Sequence, residues 1–301
     1  MSKLNAWIKA IRIRTLPLSL SGIVIGSFTA YAHGFWNTSI FLLAISTTLF
    51  LQILSNLAND LGDGLKGTDN EHRIGPKRAI QSGIISIREM KIAIVILVLL
   101  ALASAIPLIF IGTKDMPPPI LWIYIALAIA GIIAAITYTV GKKAYGYLGL
   151  GDFFVLVFFG FVSVLGVYSL YSKRFDVKLI LLGLTIGLLS MAVLNLNNMR
   201  DHVNDRNAGK KTLVVKMGFD TSKIYHSLLI LIAFCSYLFF VLIEKNYFLF
   251  IGGIPFIFLV IHLKKVWKTT NPALLDPELK KVALSTFIIS LLYSISAVLW
   301  S

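Results

Sequence analysis

The stretch "TSIFLLAISTTLFLQILSNLANDLGD", residues 38–63, runs from an unbroken apolar segment straight into amides and carboxylates, with no polar spacer between them. About 20 mostly apolar residues, each rising roughly 1.5 Å, cross a hydrocarbon core roughly 30 Å thick. The first part therefore reads as a membrane-spanning helix, and its acids fall at the membrane surface. The continuation "GLKGTDNEHRIGPKR", residues 64–78, adds Asp69, Glu71, Arg73, Lys77 and Arg78. Two of its glycines, Gly64 and Gly67, allow the chain to turn back over the helix end.

The rest of the chain repeats this pattern. Its 301 residues are 57% hydrophobic and 14% charged, and the mean hydropathy is +0.83. A soluble domain of this size cannot bury so much apolar surface, which predicts an all-α, polytopic membrane protein. Nine segments are long and apolar enough to span, at about 16–34, 39–60, 91–112, 119–141, 150–171, 178–199, 224–243, 247–264 and 282–300. The intervals are short, so a single transmembrane domain over residues 1–301 is expected, with polar loops at about 60–90, 141–150 and 200–223. The first apolar segment is full length and lacks a small-residue cleavage site, which predicts a retained span. Cys235 is alone in an apolar run and reads as a small packing side chain.

A net charge of +14 invites a nucleic-acid reading, and the distribution of charge removes it. With the N-terminus in the cytoplasm, only Lys114, Lys173, Arg174, Lys178 and Lys245 of the 28 Lys and Arg fall outside. That is the positive-inside bias of a membrane protein. Topology does not explain why 11 of the 14 acids also lie inside, since acids contribute little to orientation.

The acids are patterned. Offsets of three, four and seven put Asn56, Asn59, Asp60 and Asp63 on one helical face at the end of the second segment. The sixth segment ends in "NLNNMRDHVNDRNAGKKTL", residues 195–213, where Asn197, Asp201 and Asp205 are spaced i, i+4, i+8 beside Asn195, Asn198 and Asn204. Two such arrays four segments apart make a weak internal repeat of a four-helix unit. Neighbouring carboxylates repel unless a cation neutralises them. Hard oxygen donors suit Mg²⁺, which often bridges carboxylates to phosphates, so two facing arrays would hold Mg²⁺ against a diphosphate. The plainer alternative is a set of solvated acids balancing basic loops. Arg78, Lys142 and Lys211 stand out among the flanking cations, and Tyr138 and Lys142, spaced i, i+4 in "YTVGK", would reach the same anion.

These motifs resemble those of the UbiA-type intramembrane prenyltransferase superfamily: Asn-Asp-x-x-Asp matches "NDLGD" with Asp69 beyond it, Asp-x-x-x-Asp matches "DHVND", and Tyr-x-x-x-Lys matches "YTVGK". In texture, "RTLPLS", "QILSNLANDLGDGLKGTDNEHRIGP" and "NNMRDHVNDRNAGKKTLVVKMG" are most similar to the branch that prenylates 1,4-dihydroxy-2-naphthoate in menaquinone synthesis. Five residues separate Asp63 from Asp69, where the hydroxybenzoate branch has three. The resemblance implies that Asn59 and Asp63 hold one Mg²⁺ and Asp201 and Asp205 another, with Asp69 a further ligand candidate and Asp60 close to the reacting aromatic. It implies that Arg14, Tyr138, Lys142 and Lys211 approach the diphosphate. Asn56, Arg78 and Asn198, on the arrays' faces and flanks, are further substrate-binding candidates, and Asp60, Asp63, Asp201 and Asp205 form the catalytic set. The implied reactants are a polyprenyl diphosphate and a dihydroxynaphthoate, met in membrane lipid at the cytoplasmic face of a bacterial inner membrane. A 4-hydroxybenzoate acceptor is the nearest alternative. A secondary transporter is a different class, and the clustering of charge at one membrane face, away from the midplane, argues against it.

Overall fold

The computed structural model describes residues 2–70, 74 and 77–300, and its elements are helical throughout, with no strand among the described residues. A short helix, α1 (Lys3–Ile11), precedes α2 (Leu16–Ala32). The long helices α3 (Thr38–Leu65), α4 (Ile87–Thr113), α5 (Pro118–Thr137), α6 (Gly151–Ser172) and α7 (Leu179–Asn207) follow. After the five-residue α8 (Leu213–Met217), the chain ends with α9 (Phe219–Glu244), α10 (Tyr247–Lys268) and α11 (Pro272–Leu299).

Eight of these are long and apolar enough to cross a membrane, and a ninth span exists only if α1 and α2, bent by 43°, count as one. The first of the nine expected segments, at 16–34, is thus α2 alone, 17 residues long.

Local sequence explains the ends. Asn37 caps α3 by accepting from the backbone N–H groups of Ser39 and Ile40, Ser86 and Glu89 form a capping box on α4, and Pro118 opens α5. Helix α7 is the hub. In it 78% of the apolar window is buried, against 22% in α5, and it packs against α6 where a Cβ on Gly160 would meet the Gly183 carbonyl oxygen at 2.6 Å. Small residues permit that backbone approach. Gly160 belongs to a π-helical stretch of α6, Leu156–Gly166, a form that recurs at functional sites. Large apolar side chains such as Leu99, Phe110, Trp122 and Phe258 face outward, as a lipid-contacting surface requires.

The ends of α3 and α7 meet. Past α3, Gly67 takes a φ of +71°, and the Thr68 N–H bonds back to the Asp63 carbonyl at 3.0 Å. Asn204 of α7 then donates to the Thr68 carbonyl at 2.8 Å. Helix α1 lies against the same end, with Ala6 and Ala10 buried in a cluster with Leu54, Leu57, Ala58 and Leu61.

Candidate active site

Both acidic arrays are buried where α3 and α7 meet: Asp60 and Asp63 are 1% and 4% exposed, Asp201 and Asp205 7% and 3%. Each carboxylate has a counter-charge. Asp60 accepts from Arg12 at 2.8 Å and from Arg78, whose Nε is also 3.7 Å from Asp69. Asp63 accepts from the Tyr147 hydroxyl at 2.8 Å. Asp201 is gripped by both Nε and Nη2 of Arg200, at 2.8 and 2.6 Å, the paired geometry that makes guanidinium–carboxylate contacts strong.

Lys210 joins the arrays. Its ammonium, 7% exposed, is 3.6 Å from Asp63 and 3.9 Å from Asp205, so the two carboxylates face each other across one positive centre. Burial alone would lower the Lys210 pKa, but Asp63 and Asp205 outweigh it and raise the pKa above the ordinary lysine value. Burial and the Asp63 charge likewise raise the Tyr147 hydroxyl, keeping it a proton donor to Asp63.

Asp60, Asp63 and Lys210 stand at one end of a cavity of 680 Å³, lined there also by Arg12, Asn59, Arg78, Tyr138 and Arg200, whereas Asp201 and Asp205 lie outside that lining. Asp60 and Ala44 both line it on α3, about 24 Å apart at the helical rise. The walls between are apolar, from Leu51, Leu108, Leu127, Ala128, Val162 and Leu170. A ring ladder follows one wall: Tyr138 meets Tyr145 edge-on at 5.3 Å, Tyr145 stacks on Phe154 at 4.1 Å, and Phe154 on Phe158 at 6.4 Å.

Several expected residues stand in the array or the cavity. Asn59 lines the cavity and accepts from Thr139, and Asp69 lies buried beside Arg78. Asn56 also lines the cavity but is committed to the fold, donating to the Ile11 carbonyl at 2.8 Å at the end of α1. Others are elsewhere. Asn198 is buried on α7 away from the cavity lining. Lys142 is exposed because α5 ends at Thr137 and Gly141 takes a φ of +97°, so the i, i+4 relation to Tyr138 does not form. Lys211 is exposed next to buried Lys210, because Gly209, at a φ of +73°, folds Lys210 back over the end of α7. The Arg14 side chain and residues Glu71 and Arg73 lie outside the described residues. Asp152 accepts from Tyr225 at 3.0 Å near the start of α6.

Arg12, Tyr147, Arg200 and Lys210 are the site residues that motif spacing did not single out. For Lys210 the signal was present: a lysine directly after an Asn-Ala-Gly helix stop is turned back by the left-handed glycine.

Among the described residues no three His, Cys, Asp or Glu side chains already surround a common point; what Asp63 and Asp205 share is the Lys210 ammonium. The donors are oxygens of Asn and Asp, a set that fits a hard divalent cation.

Residues 19–297 match the model of the UbiA prenyltransferase family. The chain is 41% identical to the 1,4-dihydroxy-2-naphthoate octaprenyltransferase of Haemophilus influenzae, covering 97% of this chain and 96% of that one. It is 39% identical to the enzyme of the same name in Escherichia coli K12, over 97% and 95%. Among solved structures, a UbiA homolog from Archaeoglobus fulgidus bound to DMAPP and Mg²⁺ shares the fold at a TM-score of 0.60 and 13% identity, over 95% of this chain and 98% of that one. Family match, near-full-length relatives and fold agree: the chain belongs to the UbiA prenyltransferase family.

Proposed function

We propose that the protein transfers a polyprenyl chain from its diphosphate to 1,4-dihydroxy-2-naphthoate, releasing diphosphate and CO₂ and giving a demethylmenaquinol. The observation that carries this reading is the Lys210 ammonium shared by Asp63 and Asp205 at the mouth of an apolar cavity. That arrangement suits a substrate with a polyanionic head and a long hydrocarbon tail, and the names of the relatives supply the acceptor.

Asn59 and Asp63 on α3, with Asp201 and Asp205 on α7, are the groups to hold Mg²⁺; bound there, Mg²⁺ supplies Lewis-acid stabilisation of charge growing on the leaving diphosphate. Lys210, Arg12 and Arg78 attract the same anion. The allylic C–O bond breaks with its electron pair going to the diphosphate oxygen. The apolar walls exclude water from the resulting cation, and the faces of Tyr145, Phe154 and Phe158 stabilise it. The ring carbon bearing the carboxyl attacks, forming the C–C bond. The carboxyl then leaves as CO₂, and the pair from its C–C bond restores the aromatic ring. A polyprenyl tail resides in lipid while diphosphate and naphthoate carboxylate stay in water, so this site belongs at the cytoplasmic interface of a bacterial inner membrane.

Supplying acceptor labelled at the carboxyl, with prenyl diphosphate and Mg²⁺, tests the reading: label appears as CO₂ in step with prenylated product. Prenylated product that keeps the label overturns the decarboxylative step, and absence of any Mg²⁺-dependent transfer overturns the activity.

A further inference from the structure

A second buried polar cluster lies outside the cavity lining, between α9, α10 and α11. Glu278 of α11 is 0% exposed, His226 of α9 is 0% and His262 of α10 is 3%. Glu278 Oε2 is 2.7 Å from His262 Nδ1, while its Oε1 meets Lys265 at 2.9 Å and Lys281 at 2.8 Å. His262 Nε2 is 2.8 Å from His226 Nε2. The carboxylate fixes the proton order: with both rings neutral, His262 donates from Nδ1 to Glu278, so its Nε2 must accept from His226 Nε2–H. An ionised carboxylate buried in this way is stable only with such a full set of donors.

The position of Glu278 gives the cluster its consequence. Two residues earlier, Asp276 opens the α-helical part of α11 and accepts from Arg200 Nη1 at 2.5 Å. Arg200 is 1% exposed and spends its other donors on Asp201, at 2.8 and 2.6 Å, and on Asn197, at 2.8 Å. The contacts of Glu278 with α10 and, through His262, with α9 and the contact of Asp276 with Arg200 therefore both end on the first turn of α11, where the helix backbone joins them. None of His226, His262 and Glu278 lines the cavity, whereas Arg200 and Asn197 do.

We infer that His226, His262 and Glu278 are positioning residues that lock the first turn of α11, so that Asp276 and Arg200 hold Asp201 in the orientation needed to bind a divalent cation. Groups behind a metal-ligating carboxylate tune affinity in this way, and their loss costs about tenfold or more in metal binding. The inference rests on the divalent-cation reading of the arrays proposed above.

The test is a double-mutant cycle on full-length protein in detergent, using His262→Phe, Asp276→Asn and the pair. The readout is the Mg²⁺ concentration that half-maximally raises the unfolding temperature in the presence of a non-cleavable prenyl thiodiphosphate, with KM for the aromatic acceptor measured alongside. Each single variant is expected to raise the half-saturating Mg²⁺ about tenfold, with acceptor KM unchanged and with the pair no worse than the poorer single, because both act through one path. His262→Gln, which restores a donor to Glu278, should recover part of the loss. Unchanged Mg²⁺ dependence in the single variants, or losses that multiply in the pair, overturns the inference. If His262→Phe does not accumulate in membranes, the Glu278→Gln and Asp276→Asn cycle decides on the same outcomes. Wild-type protein with no Mg²⁺ response at all refutes the metal reading itself, an outcome distinct from a wild-type response that the variants share.

Discussion

The two acidic arrays have nearly the same spacing and opposite ways of balancing their charge. On α7, Asp201 is neutralised by its own neighbour Arg200, one residue away. On α3, Asp60 depends on Arg12, 48 residues earlier, and on Arg78, 18 residues later. Asp201 thus finds its counter-charge within its own helix, while Asp60 is paired only when the end of α1 and the segment after α3 fold over it. Arg12 reaches Asp60 from a left-handed backbone conformation, φ 55°, uncommon for a residue with a side chain. Lys210 couples the two arrays.

The strongest break of this comparison removes a carboxylate that Lys210 shares. Asp63→Ala and Asp205→Ala should each lower prenyl transfer by more than about 100-fold, beyond the range for groups that merely support a metal ligand, in protein that inserts normally; turnover assays in membranes check this. Next, Lys210→Met leaves Asp63 and Asp205 facing each other without their cation, a loss of about 1–3 kcal/mol. Thermal unfolding without Mg²⁺ should show that variant destabilised, with Mg²⁺ recovering more stability than in the wild type. Arg12→Ala should impair substrate binding about 30-fold, the low end of the range for truncating one partner of a buried charge pair, and Mg²⁺ titration of the variant should leave the α7 array's response intact. Lys142→Ala and Lys211→Ala, both exposed, should change activity less than about twofold, the scale of surface charges.

The raised pKa of Lys210 adds a pH expectation. A lysine whose folded value lies above its unfolded one contributes fully below the unfolded value, about 10.4, and loses that contribution as pH rises through the folded value. The Lys210 contribution to stability should therefore stay flat between about pH 6 and pH 9, measured as the difference in unfolding temperature between wild type and Lys210→Met.

Spacing alone revealed the spans and the carboxylates, because a 3.6-residue period and a 20-residue apolar run are properties of a single helix. Asn59, Asp60 and Asp63 line the cavity together, as their offsets require, and Asp63 and Asp205 meet at Lys210. What spacing misses is set after a helix stops. Tyr138 and Lys142 share a face only if α5 continues past Thr137, and it does not; Lys210 rather than Lys211 enters the site because Gly209 reverses the chain. Arg12 and Tyr147 belong to segments whose approach to Asp60 and Asp63 is purely tertiary. The bend between α1 and α2 likewise follows no apolar period, which is why the first span appears in sequence as one plain segment.

Whether the two arrays act as one clamp is tested most directly by Mg²⁺-dependent binding of a prenyl thiodiphosphate to Asp63→Asn, Asp205→Asn and the double variant. If they form one clamp, each single substitution abolishes nearly all of the Mg²⁺-dependent binding, and the double variant is little worse than either. Near-wild-type binding in one single variant, or a double loss equal to the product of two modest single losses, would show two independent acidic helix ends and contradict the account.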